Sequence, residues 1–529
     1  MKKTVSYFAD NGFLISPELL DDIDSIDDGK IINFLNKDLV VINKELVKYL
    51  EEGRSKELNW ISFDEARVSF EKSGADEEYT SFLDVIFERK TEIDGNGVGT
   101  ENPLEQEDVN GSVAVLQSYN EKPKKTGVED FVALFNNRYK ALREILCNRT
   151  ELREAVSISR VINKNNEKIA LVGLVDNKRV TKNDNLLLEL EDLSGRIKVL
   201  INKNKTEMKE IAKEIVLDEV IGVTGNISNG FLFADKIFFP DIPLTKELKK
   251  SHVEEYAVFI SDLHVGSKNF LEADFHRFLD WLNCGNNDET QNQIAAKVKY
   301  LFIVGDLIEG VGIYPGQEND LKIKDYREQY RKFSELVDKI PKGISIIICA
   351  GNHDAVRLDE PQPVLGRDHL GDLLDRENLF SVSNPSLVTI GATKDFPGFD
   401  VLIYHGGSFT YYADVVDDIR LKGGVTRADL IMKLLLKKRH LAPTHTSTSY
   451  LANSRDNLVI SKIPDFFISG HIHRCTVASY NNIMMLNCGC WFPQSDYQEK
   501  RGIEPEPSRA IVVNLHTMET KILYFGDES

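Results

Sequence analysis

Cysteine is scarce in this sequence. Six cysteines (Cys147, Cys284, Cys349, Cys475, Cys488 and Cys490) are spread over 529 residues, too few and too scattered for a disulfide framework. Only Cys488-Gly489-Cys490 is close-spaced, and a lone C-x-C lacks the second pair that a structural zinc site needs. Buried or free thiols in a reducing cytoplasm are the expectation, and the localisation expected is cytoplasmic. Long apolar runs are missing too: no stretch approaches the roughly 20 residues a membrane helix requires, which argues against a membrane as partner. Residues 1–10 turn polar before a signal-peptide core is complete. Positive charge is in deficit, with 65 Lys and Arg against 84 Asp and Glu, a net charge of −19. Taken over the whole chain, that sign repels a polyanion.

What is present is ordinary for a globular chain of several domains: 42% apolar and 28% charged residues. The charge is uneven. Residues 1–125 carry 27 acids and 15 bases, residues 126–250 carry 19 and 21, and residues 251–529 carry 38 and 29, or −12, +2 and −9. The whole-chain sign is therefore a poor guide to any one surface.

The pattern divides the chain into four. Residues 1–80 read as a small acidic module of short helices, with Ser16-Pro17-Glu18 as a helix start. Residues 91–127, rich in Gly, Asn, Glu, Pro and Lys and without periodicity, read as a flexible linker. Residues 128–250 open with a helix and then change period from 3.6 to 2. Three strands, a helix over 206–215 and two further strands suit a five-stranded barrel of the oligonucleotide-binding (OB) type. Arg196, Lys198, Lys203 and Lys205 on that barrel fit a nucleic-acid face or a plain solvated one. Residues 256–529 alternate buried apolar strands with helical segments, including 321–340 and 427–438, as in an α/β domain.

In such sheets functional residues sit just past strand C-termini. Here five strands end in metal-capable groups: Asp262-Leu263-His264, Gly305-Asp306, Gly351-Asn352-His353-Asp354, His405-Gly406-Gly407 and Gly470-His471-Ile472-His473. On an extended backbone alternate residues face the same way, so the pairs in D-x-H and H-x-H are expected to converge. Three carboxylate or amide oxygens and four imidazoles suit a borderline divalent ion such as Mn²⁺, Fe²⁺ or Zn²⁺. Seven donors exceed one tetrahedral ion but suit two ions sharing a carboxylate.

This ordered set resembles the signature of the calcineurin-like metallophosphoesterases. The resemblance implies a C-terminal α/β sandwich over 256–529 and a two-metal phosphoesterase. One ion would be held by Asp262, His264, Asp306 and His473, the other by Asp306, Asn352, His405 and His471. It implies further that His353 contacts or protonates the leaving oxygen and that Asp354 orients His353. The stretch Asp306-Leu307-Ile308-Glu309-Gly310-Val311-Gly312-Ile313-Tyr314-Pro315-Gly316-Gln317 narrows the class, with Lys438-Arg439-His440-Leu441-Ala442-Pro443-Thr444, Trp491, Gln498 and Pro505-Glu506-Pro507. Together they resemble the small subunits of archaeal D-family DNA polymerases, where Glu309 stands in place of a usual Asp.

That resemblance implies a metal-dependent 3′→5′ exodeoxyribonuclease with two divalent ions, Mn²⁺ first and Fe²⁺ or Zn²⁺ as alternatives. Its expected partners are a large catalytic polymerase subunit, a DNA primer 3′ end and a sliding clamp. Lys433, Lys437, Lys438 and Arg439 are candidates to hold DNA phosphates, against the plainer reading of a solvated helix face. Besides a small-molecule phosphatase or cyclic phosphodiesterase, two rival functions remain open. One is a catalytically inactive replication scaffold, which the intact ligand set argues against. The other is a double-strand-break-repair nuclease of the same superfamily, which the N-terminal barrel argues against.

Overall fold

The computed structural model of the chain describes residues 14–15, 41–42, 113–119, 125–161, 164–202, 204–286, 288–453, 455–494 and 504–527. Two compact units separate at residue 105. In the first, β1 (Leu14–Ile15) pairs parallel with β2 (Val41–Ile42); the helices expected over 1–80 lie outside the described residues. The second unit carries everything that follows.

The expected linker is not a tether throughout. Within it β3 (Ala114–Gln117) pairs antiparallel with β13 (Ser386–Ile390) as the edge of a six-stranded sheet. The run Val113-Ala114-Val115-Leu116-Gln117 has strand-forming residues, but Gly, Asn and Pro on both sides dominate the regional composition.

The barrel is as patterned. Strands β4 (Glu167–Val180), β5 (Leu186–Asp192), β6 (Gly195–Ile201), β7 (Val220–Ser228) and β8 (Phe231–Phe238) close in the order β4-β5-β6-β8-β7, with Thr206–Lys213 as the intervening helix. Closure rests on the parallel β6–β8 pair, which leaves no open edge. Alternate residues point inward, so Leu188, Leu190, Ile197, Val199, Ile221, Val223 and Leu232 form its core.

The remainder is a sandwich of two sheets between helices. One sheet runs β12 (Leu379–Ser381), β11 (Ser345–Cys349), β10 (Val298–Val304), β9 (Tyr256–Ile260), β18 (Arg509–Asn514) and β19 (Thr520–Tyr524). The other runs β16 (Thr476–Tyr480), β17 (Ile483–Asn487), β15 (Phe466–Ser469), β14 (Phe399–Ile403), β13 and β3. Because side chains alternate, each central strand serves two cores. Phe259, Phe302, Val401, Ile403, Phe466 and Ile468 fill the layer between the sheets. Val258 and Ile260 face the helices Glu272–Leu282 and Tyr326–Val337, while Leu402 and Phe467 face Phe409–Val415 and Ala428–Lys438. The second helix starts at Tyr326, later than expected, because Asp325 caps it by accepting from the amides of Arg327 and Glu328.

A buried ionic knot joins the helix Val128–Cys147 to the sandwich. Arg138 donates from Nε to Asp456 Oδ2 at 2.7 Å and from Nη1 to the carbonyls of Pro443 and Asp218. His440 Nε2 lies 2.9 Å from the same Asp456 oxygen. Burial pushes the Asp456 carboxyl up, but Arg138 outweighs it and holds the group below the usual carboxylate range. Removing the carboxylate strands a guanidinium that no water reaches. Asp456→Ala is therefore expected to cost about 3–5 kcal/mol in urea unfolding. The folded-state value lies below the unfolded one near 3.8. The carboxylate's contribution is therefore complete above about pH 5 and fades as pH falls through the acid range. An unfolding midpoint equal to wild type would show that the knot holds nothing.

Candidate metal centre

The five expected motifs meet at one place. β9 ends before Asp262 and His264, β10 before Asp306, β11 before Asn352 and His353, β14 before His405, and β15 before His471 and His473. Both sheets thus direct their strand ends to a common point. The backbone there is not extended. Asp262, His264, Asp306, His471 and His473 all have positive φ, between 49° and 68°. Convergence therefore comes from left-handed turns past the strand ends, not from strand alternation as the sequence pattern suggested. Such conformations cost energy in non-glycine residues and persist only where surroundings fix them. The turns are bonded to each other: Asp262 N donates to Gly305 O at 3.1 Å, His264 N to Asp306 O at 3.0 Å and Trp491 N to Asp262 O at 3.0 Å.

Donor atoms crowd together in the result. Asp262, His264 and His473 form one group, His264, Asp306 and His353 a second, and Asp262, Asp306 and His405 a third, with ligand atoms within 4.8 Å in each. His264 Nε2 lies 3.3 Å from His473 Nε2 and 3.8 Å from Asp306 Oδ2. His473 Nε2 is 3.3 Å from Asp262 Oδ1. On the other side His405 Nε2 is 3.4 Å from Asp306 Oδ2 and 3.1 Å from Asn352 Oδ1, and His471 Nδ1 is 2.9 Å from Asn352 Oδ1. Asp306 belongs to both halves. Nitrogen facing nitrogen at 3.3 Å, beside two carboxylates, is the arrangement a divalent cation resolves, and an N/O donor set suits a borderline ion.

The charges point the same way. Burial raises the Asp306 carboxyl, but His405 and His353 outweigh that and hold it well below its usual range. Burial lowers His405, yet Asp306 and then Asp262 lift it to about 10. His473 is lowered by burial but raised well above its usual value by Cys490 and Asp262. His471, buried beside a positive His405, is pushed down to about 4. The carboxylates thus favour positive charge on His405 and His473, the same sign that a bound cation would bring.

Neighbouring groups fix which atoms point inward. His405 Nδ1 donates to the Val304 carbonyl at 2.9 Å, which commits Nε2 to the cluster. His264 Nδ1 lies 3.0 Å from Glu309 Oε2, so Glu309 orients it. Sequence reasoning set Glu309 aside, although D-x-x-E places it one turn beyond Asp306. Glycine is needed at several of these turns: a β-carbon on Gly351 would collide with the Asp306 carboxylate and His405, one on Gly305 with the His405 ring, and one on Gly470 with the Asp262 carboxylate.

Two expectations need correction. Asp354 does not orient His353. Its carboxylate accepts from Gly351 N at 2.8 Å, Leu307 N at 3.2 Å and Tyr330 Oη at 3.0 Å, so it ties the turn together. Burial and the Asp306 charge raise its pKa to about 7. His353 is held instead by the Glu309 carbonyl, which accepts from Nδ1 at 2.9 Å. The basic helix end is the second. Lys438 is buried, with Nζ 2.8 Å from Glu219 Oε2 and 3.4 Å from the Phe239 ring centroid. Arg439 is buried and donates to the carbonyls of Ile460 and Ser461. Neither is available to DNA. Lys437 pairs with Glu214 at 2.5 Å, and Lys433 lies over the Tyr480 ring.

Sandwich and cluster together define a phosphoesterase, and residues 257–475 match the calcineurin-like phosphoesterase family. The chain is 36% identical over 400 residues to the DNA polymerase II small subunit of Methanothermobacter thermautotrophicus, covering 75% of this chain and 80% of that one. It is 38% identical over 412 residues to the DNA polymerase II small subunit of Methanocaldococcus jannaschii (76% and 67%) and 37% over 403 residues to that of Archaeoglobus fulgidus (76% and 78%). The chain belongs to the DNA polymerase II small-subunit family. Among the described residues no helix is long and apolar enough to cross a membrane.

Glu309→Ala removes the group that aims His264. Metal affinity should fall roughly 10–100-fold in calorimetric Mn²⁺ titration while the fold, by circular dichroism, stays intact. Unchanged affinity would leave Glu309 without a role at the centre.

Proposed function

We propose that this chain is the 3′→5′ exonuclease subunit of a DNA polymerase, removing nucleotides from a primer 3′ end while bound to a large catalytic subunit. The observation that carries this reading is the gathering of Asp262, His264, Asp306, His405 and His473, all buried, with Asn352 and His471 against them, in a member of the DNA polymerase II small-subunit family. An inactive scaffold would have no use for these ligands, each held in a strained or hydrogen-bonded position.

Asp262, His264, Asp306 and His473 would hold one divalent ion, and Asp306, Asn352, His405 and His471 would hold the second. Mn²⁺ suits this mixed set, as do Fe²⁺ and Zn²⁺. Two bound ions would supply Lewis acidity to the phosphate and lower the pKa of a water. The chain's own contribution is position and proton traffic. Asp306 fixes the spacing of the two halves, and its Oδ1 accepts from the His353 amide at 2.8 Å, which ties the acid–base histidine to the bridge. His353 is half-buried, with Nδ1 committed to Glu309 O, so Nε2 is the atom that meets substrate. Burial lowers its pKa, so the protonated form is the minor one at neutral pH and the proton it carries on Nε2 is the more readily given up. In hydrolysis of the terminal phosphodiester, water adds to phosphorus and the bond to the 3′ oxygen of the penultimate nucleotide breaks. The proton from His353 goes to that oxygen, and a 5′-mononucleotide leaves.

Mn²⁺-dependent degradation of 5′-labelled single-stranded and mismatched primers tests the reading, with the full chain alone and with its large subunit. Wild type should shorten both primers and Asp306→Ala neither; equal rates would end the exonuclease assignment. His353→Ala should slow cleavage about 10²–10⁴-fold while keeping its metal. Loss of metal would instead make His353 a ligand.

A further inference from the structure

Between Asp306 and Gln317 the chain runs Leu307-Ile308-Glu309-Gly310-Val311-Gly312-Ile313-Tyr314-Pro315-Gly316, without a single Lys or Arg. Its one charge, Glu309, is buried. Past Glu309 the loop comes to the surface, and its apolar side chains come with it: Val311 is 47% exposed, Ile313 39% and Tyr314 39%. Exposed apolar residues on a glycine-rich loop would ordinarily mean a floppy segment, but this one is braced. Gln317 is buried; its Oε1 accepts from Ile313 N at 2.9 Å and its Nε2 donates to Glu309 O at 3.0 Å. Gln329 closes the other side, accepting from Gly310 N at 2.8 Å and donating to Gly310 O at 3.1 Å. Tyr314 Oη lies 3.3 Å from Glu309 Oε1 and 3.1 Å from Asp320 Oδ2.

The loop is also next to the chemistry. The Glu309 carbonyl holds His353, and Gly310 lies so close to the His353 carbonyl that a β-carbon would collide with it. Whatever leaves past His353 passes this loop. Building on the exonuclease reading, that is the strand that keeps its 3′ oxygen, beginning with the penultimate nucleotide.

We propose that residues 311–314 are a rigid apolar platform for the base of the penultimate nucleotide, and that they make the centre selective for unpaired 3′ ends. The loop has no cation for a phosphate, so the contact it offers is to a base or sugar face. A base in a duplex has both faces stacked on its neighbours and gains nothing from an apolar surface. A frayed or mismatched base exposes a face, and base contact with apolar side chains is then favourable and indifferent to sequence. Mispairing is thereby read through strand separation and not through the identity of the base.

The test is Val311→Thr with Ile313→Thr in the full chain, bound to its large subunit. Val311→Thr keeps shape and Ile313→Thr loses one methyl group, and both remove apolar surface; Val311→Thr alone serves as the second variant, since Ile313 also packs on Gly310. Substrates are primer–templates with none or three unpaired 3′ nucleotides, and bis(p-nitrophenyl) phosphate, which reports the metal centre without a nucleotide. We expect KM for the unpaired primer to rise roughly tenfold, and the preference over the paired primer to shrink by the same factor. Cleavage of the small diester and metal content should stay within twofold. Unchanged DNA kinetics would overturn the platform, as would an equal loss on all substrates, which marks a structural loop. Dissociation of the large subunit would mark a protein-docking loop instead. If wild type cleaves the small diester but no DNA in an Asp306-dependent way, the exonuclease reading fails and the platform fails with it.

Discussion

The structure depends on a concentration of buried charge that a divalent cation would relieve. Two aspartates, an asparagine and four histidines are gathered at the ends of strands from two sheets, nearly all of them shielded from water. Desolvating so many ionisable groups is costly, and their mutual attraction offsets the cost only with good geometry. The surrounding chain is organised around that demand. Left-handed turns aim the donors, backbone bonds between loops fix the turns, and Val304 O and Glu309 fix the tautomers of His405 and His264. The three hydrophobic layers of the sandwich supply the rigidity that strained turns need.

The clustered residues were legible in the sequence because chemistry of this kind is punctuated. A buried strand announces itself as an apolar run, and a polar residue at its end stands out. The barrel was legible for a related reason, since alternation with period 2 survives in β4 to β8. The reason offered for the convergence of D-x-H and H-x-H was wrong, because φ cannot be read from residue type unless glycine or proline intervenes. Asp354 and Lys438 show the same limit. A carboxylate beside a histidine and a lysine at a helix end look functional in one dimension; their partners, Tyr330 and Glu219, lie 24 and 219 residues away.

Glu309 and β3 were missed for opposite reasons. Glu309 was visible in the motif, but its value lies in a contact across the turn to His264 that no local rule predicts. β3 is a strand of ordinary composition set within a segment of linker composition, and regional averages outvoted it. The whole-chain acidity misled in a similar way. Of the −19, residues 1–125 supply −12, while Asp262 and Asp306 lie buried among histidines that face their charge.

The buried pair between Lys438 and Glu219 has a consequence for how this chain can be taken apart. Glu219 stands at the start of β7 in the barrel, and Lys438 ends a helix of the sandwich. A cut near residue 250 looks natural from the domain pattern, yet it would leave each fragment with a naked charge on a surface built to be dry. Barrel and phosphoesterase are in that sense a single folding unit with two shapes. Neither is a cassette that can be lifted out and transplanted with its properties intact.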